Sequence, residues 1–246
     1  MRRLIEWQDV VRQKLGALTP KPKDNVPAHF HDRAEAGRFL SRELSEYYGR
    51  NDVLVLALPR GGVPVGFQVA TELRVPLDVF LVRKLGVPGH EELAMGAIAS
   101  GGVRVLNDEV ISRNAISHEA IERVSAKEQT ELKRRELAYR RNTSAPDIKG
   151  KTIILVDDGI ATGSTMCAAI AALKKYKPAR IIVGAPTAPV TCEEDLGPDV
   201  DELVVVTKPE PFYSVGQVYE IFDQTSDEEV RALLARSEQR LHAGLN

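Results

Sequence analysis

Residues 152–165 read Thr152-Ile153-Ile154-Leu155-Val156-Asp157-Asp158-Gly159-Ile160-Ala161-Thr162-Gly163-Ser164-Thr165, and the rest of the chain is organised around this stretch. It opens as a continuous aliphatic run, the pattern of a strand covered on both faces in a parallel sheet. Two acids end the run, followed by a small-residue turn and a helical pattern over Met166–Tyr176. Gly163 and its small neighbours let backbone N–H groups close on an anion. Ser164 and Thr165 add hydroxyl donors, and the following helix offers the positive end of its dipole. A phosphate fits this turn. The carboxylates of Asp157 and Asp158 beside it suit two vicinal hydroxyls, so the ligand class is a phosphorylated sugar.

Composition narrows the setting. The chain has 246 residues, 43% hydrophobic and 28% charged, enough for a sizeable core of ordinary globular make-up. A formal net charge of −2 supplies no basic field, so nucleic acid is not an expected partner. Cys167 and Cys192 form no disulfide framework or metal pattern and suit a reducing compartment, with Cys167 expected to be buried packing. No run is long and apolar enough to span a bilayer, and Met1-Arg2-Arg3 leads into no signal-like block, so a cytoplasmic protein without a membrane partner is expected.

The periodicities predict two regions. Residues 1–27 form an amphipathic helix (Met1–Leu18, with Leu4, Trp7, Val11 and Leu15 on one face) and a linker, and residues 28–246 form one domain. In that domain a helix over Asp32–Tyr48 precedes a buried strand, Val53–Leu58, closed by Pro59-Arg60-Gly61-Gly62. After a helix over Val63–Leu73, a strand over Pro76–Val82 ends in Arg83-Lys84. Gly86–Glu92 reads as a hydrophilic loop, and Ala94–Ala99 with Val103–Leu106 as a hairpin or two short strands. A helical insertion covers about 107–141, broken near Ala115–Ser117. Strands at Arg180–Ala185 and Glu202–Val206 flank a short helix, Pro189–Leu196. A C-terminal hood and helix occupy about 207–242, with the last helix starting at Ser226 or Asp227. Strands alternating with helices predict an α/β fold with a doubly wound, mostly parallel sheet and ligands at the carboxyl ends of its strands. Three polar clusters fall at such ends: Arg60-Gly61-Gly62, Arg83-Lys84 and Asp157-Asp158.

Val156–Thr165 resembles the phosphoribosyl-pyrophosphate (PRPP) motif of the type I phosphoribosyltransferases. Arg33-x-Glu35-Ala36-Gly37, Leu58–Pro64, Val82–Gly86 and Pro211-Phe212 extend the likeness over Phe30 to Leu234, to a bacterial group of stand-alone phosphoribosyltransferase-domain proteins whose acceptor is generally not established. The resemblance implies a type I phosphoribosyltransferase fold with a helical insertion and a small hood. It also implies a Mg-dependent glycosyltransferase in which a nitrogenous base displaces pyrophosphate from ribose C1. Ala161, Thr162, Gly163, Ser164 and Thr165 would take the 5-phosphate. Asp157 and Asp158 would bind the ribose hydroxyls, or magnesium indirectly through PRPP and water. Arg60, Gly61 and Gly62, with the basic pair Arg83 and Lys84, would cradle the pyrophosphate. Gly86–Leu93 matches the place of the family's mobile lid, which would bring His90 and Glu91 to the reaction centre. The catalytic set is therefore expected to comprise Asp157, Asp158, Arg83, Lys84 and His90.

The hood, from Phe30–Phe39 or from Pro209–Gly216 with Tyr219 and Phe222 beyond, would hold a small-molecule acceptor of the nucleobase class, with Phe212 and Tyr213 as its stacking residues. A homo-oligomer, most simply a dimer, is expected. One departure matters: oxopurine-specific members carry a carboxylate where this chain has Ala161, which leaves adenine-, orotate- or competence-protein-like relatives closer. Two further readings stay open. One is a PRPP- or nucleotide-sensing regulator without turnover, favoured only by the basic run Lys133–Arg141, which Glu128, Glu131 and Glu136 interleave. The other is a hydrolase or phosphorylase acting on ribose-5-phosphate compounds.

Overall fold

The computed structural model describes residues 27, 29–140 and 146–243. The expected N-terminal helix, and the linker up to residue 26, lie outside the described residues. Asp32 starts helix α1 (Arg33–Glu43), its carboxylate accepting from Glu35 N at 2.8 Å. Strand β1 (Val53–Ala57), helix α2 (Gly62–Leu73) and strand β2 (Leu77–Val79) follow. Strands β3 (Val82–Val87), β4 (His90–Ala99) and β5 (Val103–Leu106) come next, then helices α3 (Asp108–Arg113) and α4 (His118–Arg140). Strand β6 (Thr152–Val156), helix α5 (Ser164–Lys174) and strand β7 (Arg180–Thr187) carry the central stretch and its sequel. The short helix α6 (Cys192–Leu196), strand β8 (Glu202–Thr207) and helix α7 (Asp227–Ala243) complete the order.

Five strands form a parallel sheet in the order β2-β1-β6-β7-β8. The central strand explains its own sequence. Ile153 and Leu155 face a cluster with Met166, Ala169 and Leu173 of α5. Ile154 and Val156 face the opposite cluster with Leu40 of α1, Leu44 at its end, and Val65 and Val69 of α2. A strand covered by helices on both sides has no polar face, so the run cannot alternate. Truncating Leu155, which is fully buried, to Ala would cost roughly 3 kcal/mol.

The expected strand Pro76–Val82 is in fact two strands in two sheets. Phe80 N donates to Ala57 O at 2.9 Å, the last bond to β1, and Leu81 O then accepts from Ser100 N at 3.1 Å, beyond β4. From Val82 the chain pairs antiparallel with β4 in a separate sheet, β3-β4-β5. Gly86–Glu92 is likewise no open loop. Its two sides pair through a bulged register, Pro88-Gly89 forms the turn, and His90 opens β4. Gly86 lies so close to Glu91 that a Cβ would be 2.7 Å from the Glu91 carbonyl oxygen.

One face of this hairpin sheet packs on α5, through Val82, Ala99 and Val103. The other packs on α4, where Leu85, Met95 and Ile98 meet Ile121, Leu132 and Tyr139. The helical insertion breaks at the expected place: Ala115 has φ 48, and Ser117 Oγ accepts from Ala120 N at 3.2 Å to start α4. Within its charged run, Arg134 and Arg135 are both paired to Glu131, at 2.8 Å each. Ser226 Oγ accepts from Glu229 N at 3.1 Å and caps α7. Among the described residues no helix is long and apolar enough to cross a membrane.

Candidate functional site

β1 and β6 are neighbours with Ala57 opposite Val156, so the turn after each ends beside the other. Leu58 N donates to Val156 O at 2.8 Å and seats the Pro59–Gly62 turn against the acid pair. A Cβ on Gly61 would lie 2.0 Å from Asp158 Oδ2, and one on Gly62 would lie 2.8 Å from Val156 O and 2.9 Å from Asp157 Cα. A side chain at 61 would displace the Asp158 carboxylate, and one at 62 would meet main-chain atoms that cannot move aside. The Pro59–Arg60 peptide is cis. Asp157 and Asp158 are both half-buried, less open than a solvent-facing strand end implies.

The two acids differ in their surroundings. Asp158 Oδ2 accepts from Arg33 Nε at 2.8 Å, with the two side chains only 12% and 15% exposed. Asp157 Oδ1 accepts from Asp158 N at 2.9 Å. Burial, and then the negative charge of Asp158, push the Asp157 carboxyl well above the usual carboxylate range.

The turn after the acids forms a small cleft of about 140 Å³, lined by Asp157 and by Gly159 to Met166. Gly163 adopts φ 71, and its carbonyl accepts from Cys167 N at 2.8 Å as α5 begins. The hydroxyls of Thr162 and Ser164 are 3.1 Å apart. All five expected phosphate-loop residues, Ala161 to Thr165, line one concave wall at a helix N-terminus. Cys167 is exposed, contrary to expectation: Met166, Ala169 and Ile170 form the inward side of α5 and leave it outside, whereas Cys192 is buried.

The three basic residues expected at pyrophosphate are each held by an acid. Arg83 lies inside β3 rather than at a strand end, with its Nε 2.7 Å and its Nη2 2.6 Å from Glu128 Oε2 of α4. Lys84 lies on the opposite face of β3, its Nζ 3.2 Å from Glu92 Oε2. Arg60 Nη1 is 3.8 Å from Asp227 Oδ1 at the start of α7.

Both candidate hood segments belong to one structure. Phe30 N donates to Val218 O at 2.7 Å, and Glu220 N donates to Phe30 O at 2.9 Å. Tyr219 OH donates to Asp158 O at 2.6 Å, tying the hood to the second acid. The Tyr219 and Phe222 rings stack at 4.9 Å and 22°, and the Arg33 guanidinium lies 4.0 Å from the Phe222 ring centre. The base of the hood sits on the acid turn, where a Cβ on Gly159 would be 2.4 Å from Val215 Cγ1. Phe212 is half-buried and Tyr213 is 81% exposed, and neither stacks on another ring among the described residues. His90, Glu91 and Glu92 are exposed at the hairpin tip in a depression of about 590 Å³.

Sequence reasoning marked Arg33 only through the Arg33-x-Glu35-Ala36-Gly37 segment and the Phe30–Phe39 hood candidate, without pairing it to Asp158, and it missed Glu128 and Asp227 as members of this region. For Glu128 a signal lay in helical spacing, since the residue falls on the inward stripe of α4.

A family model described as the phosphoribosyl transferase domain matches residues 29–203. Two Mycobacterium tuberculosis proteins, one from each of two strains and each provisionally named a phosphoribosyl transferase, are 44% identical over 208 residues. The match covers 85% of this chain and 47% of theirs, so the chain spans about half the length of these curated relatives. The crystal structure of TT1426 from Thermus thermophilus aligns with a TM-score of 0.78 at 38% identity, covering 85% of this chain and 98% of that one. With the acid pair, the small-residue turn that follows it and the glycine loop gathered at adjoining strand ends of a parallel sheet, the chain belongs to the phosphoribosyl transferase domain family, in its type I form.

Proposed function

We propose that this protein is a Mg-dependent phosphoribosyltransferase that uses PRPP and joins ribose C1 to a nitrogen of a small acceptor of the nucleobase class. One observation carries the reading. The turn Ala161–Thr165, which shares a cleft with Asp157, and the glycine loop Arg60–Gly62 both meet the same acid pair, with Gly61 pressed against Asp158. A ligand held there carries a phosphate at one end and a second anionic group at the other, with hydroxyls between. PRPP has that layout.

In this reading the backbone and hydroxyls of residues 161–165 anchor the 5-phosphate. Asp158, paired with Arg33, accepts from a ribose hydroxyl, and Asp157 supports it from beneath. Arg60, Gly61, Gly62, Arg83 and Lys84 face the pyrophosphate. The bond formed joins C1 to the acceptor nitrogen. The bond broken is C1–O, and its electron pair leaves with pyrophosphate. Charge builds on the leaving group while C1 acquires oxocarbenium character, so preorganised positive groups and exclusion of water supply the catalysis. Magnesium is commonly held by one or two carboxylates plus substrate phosphates, and the donor set of Asp157 and Asp158 fits that. Bound with PRPP, it would neutralise the departing pyrophosphate.

The acceptor sits under the hood, against Phe212, Tyr213 or the Arg33–Phe222 pair. Ala161 supplies no carboxylate to an oxopurine, which favours an adenine- or orotate-like acceptor. In this reading His90, exposed at the β3–β4 tip, acts through movement of that tip. A dimer in the cytoplasm is the assembly and location we assign. The test is calorimetry with PRPP and magnesium, followed by phosphorus NMR of mixtures with a panel of bases. Binding and a base-dependent release of pyrophosphate are expected. No binding, or release without any base, would overturn the transferase reading, the second result favouring hydrolysis.

A further inference from the structure

The buried residues of α4 are Ile121, Ser125, Leu132 and Tyr139, separated by four, seven and seven positions. That is one helical stripe, and its missing place between Ser125 and Leu132 belongs to Glu128. A carboxylate on an inward stripe is costly unless paired. The Glu128 side chain is 15% exposed, and its Oε2 receives both Nε and Nη2 of Arg83, at 2.7 and 2.6 Å. Glu128 thus grips one edge of the guanidinium. The Nη1 side of Arg83 makes no hydrogen bond among the described residues, and a planar fork of five donors can serve a second anion on that side.

Further along the same stripe, about 16 Å at 1.5 Å per residue, Tyr139 repeats the device through an intermediary. Its hydroxyl, pushed up to about 12 by burial, donates to Asp227 Oδ1 at 2.6 Å. That oxygen lies 3.8 Å from Arg60 Nη1. Asp227 Oδ2 is also held, 3.5 Å from Arg134 Nη1. One helix therefore backs both arginines, although Arg60 lies in the turn after β1 and Arg83 within β3 of the other sheet.

We infer that α4 orients the pyrophosphate site, with Glu128 a positioning residue for Arg83 and Tyr139, through Asp227, a positioning residue for Arg60. The inference rests on the proposed function, since it takes Arg60 and Arg83 to face pyrophosphate. A guanidinium already fixed by its far edge loses little rotamer freedom when the anion arrives. Removing the fixing acid should therefore weaken the pyrophosphate end of the donor and spare the 5-phosphate end.

The experiment is calorimetry on the full chain with magnesium pyrophosphate and, separately, ribose 5-phosphate. Glu128→Gln should raise the pyrophosphate Kd about tenfold, and Tyr139→Phe about threefold, with ribose 5-phosphate unchanged within about twofold. Glu128→Asp should recover part of the loss. In an Arg83→Met background, Glu128→Gln should have no further effect. An unchanged or tighter pyrophosphate Kd in Glu128→Gln overturns the inference, the tighter value marking Glu128 as a competitor of the anion. Equal loss for both ligands also overturns it, by marking a general structural role. If Glu128→Gln does not fold, Tyr139→Phe, which removes a single hydroxyl, decides the matter by the same criteria. A wild-type protein that binds ribose 5-phosphate but no magnesium pyrophosphate overturns the proposed function itself, and this inference with it.

Discussion

Arg33 Nε donates to Asp158 Oδ2 at 2.8 Å across 125 positions of the chain. The same guanidinium donates from Nη1 to the Asp223 carbonyl at 2.7 Å and lies against the Phe222 ring. One side chain thus joins the start of α1, the acid pair after β6 and the hood. It gives Asp158 a cationic partner, while burial, and then the negative charge of Asp158, drive Asp157 toward its neutral form.

Arg33→Met should therefore destabilise the fold by about 2 kcal/mol, because a shielded carboxylate loses a charge-assisted partner. Urea denaturation measures this. Arg33→Lys should recover some stability but not the bond to Asp223, so PRPP affinity should stay reduced. Equal stability of Arg33→Met and wild type would show that Asp158 is adequately solvated without the pair.

Gly61→Ala and Gly62→Ala should fail differently. At 61 the new methyl meets the carboxylate end of Asp158, which can rotate away, so the fold should persist while PRPP binding is lost. At 62 it meets main-chain atoms of Val156 and Asp157, which cannot yield, so stability should fall by roughly 1–3 kcal/mol. Melting temperature and PRPP calorimetry on the two variants separate these outcomes.

Asp157→Asn tests the buried acid through pH. The folded-state pKa of Asp157 is raised, so its contribution to stability is fully present below the unfolded carboxylate value of about 3.9 and is lost as pH rises through the folded value. The variant, which cannot ionise, should therefore be more stable than wild type at about pH 8 and gain nothing at about pH 3.5. Turnover should fall all the same, since the proposed function puts this acid beside the ribose. Parallel urea curves for wild type and variant across that pH range would show the gap opening with pH, or refute it.

Tyr219→Phe removes the hydroxyl bond to the Asp158 carbonyl but keeps the ring that stacks on Phe222. The stability cost should be about 1 kcal/mol. Acceptor KM should rise more than PRPP affinity falls, because the hood loses its tie while the phosphate turn is untouched. Steady-state kinetics with the best acceptor found gives the split.

Much of this was legible from residues alone. The aliphatic runs at 53–57 and 152–156 could only be strands covered on both faces, and the chain has both. The turn before α5 was readable because glycine and hydroxyl residues ahead of a helix are a local pattern that needs no distant partner. The break at Ala115 and the cap at Ser226 were local as well. The reading erred where a choice depended on something remote. Val82 continues the apolar run of β2, yet its pairing partner is Ala99 of β4, so the chain changes sheet without any local mark. Gly86–Glu92 is polar enough for a loop, but pairing with its own return strand makes it a hairpin tip.

By itself, then, the sequence determined the alternation of strands and helices, the glycine- and hydroxyl-rich turn before a helix and the presence of an acid pair, because each follows from propensity, burial pattern or contiguous chemistry. Only the tertiary structure decided which acid has a cationic partner, what holds the basic residues and how the hood meets the site. Those depend on Arg33, Glu128 and Asp227 reaching partners far along the chain. Electrostatic partnership is a matter of distance in space, and periodicity in a sequence does not carry it.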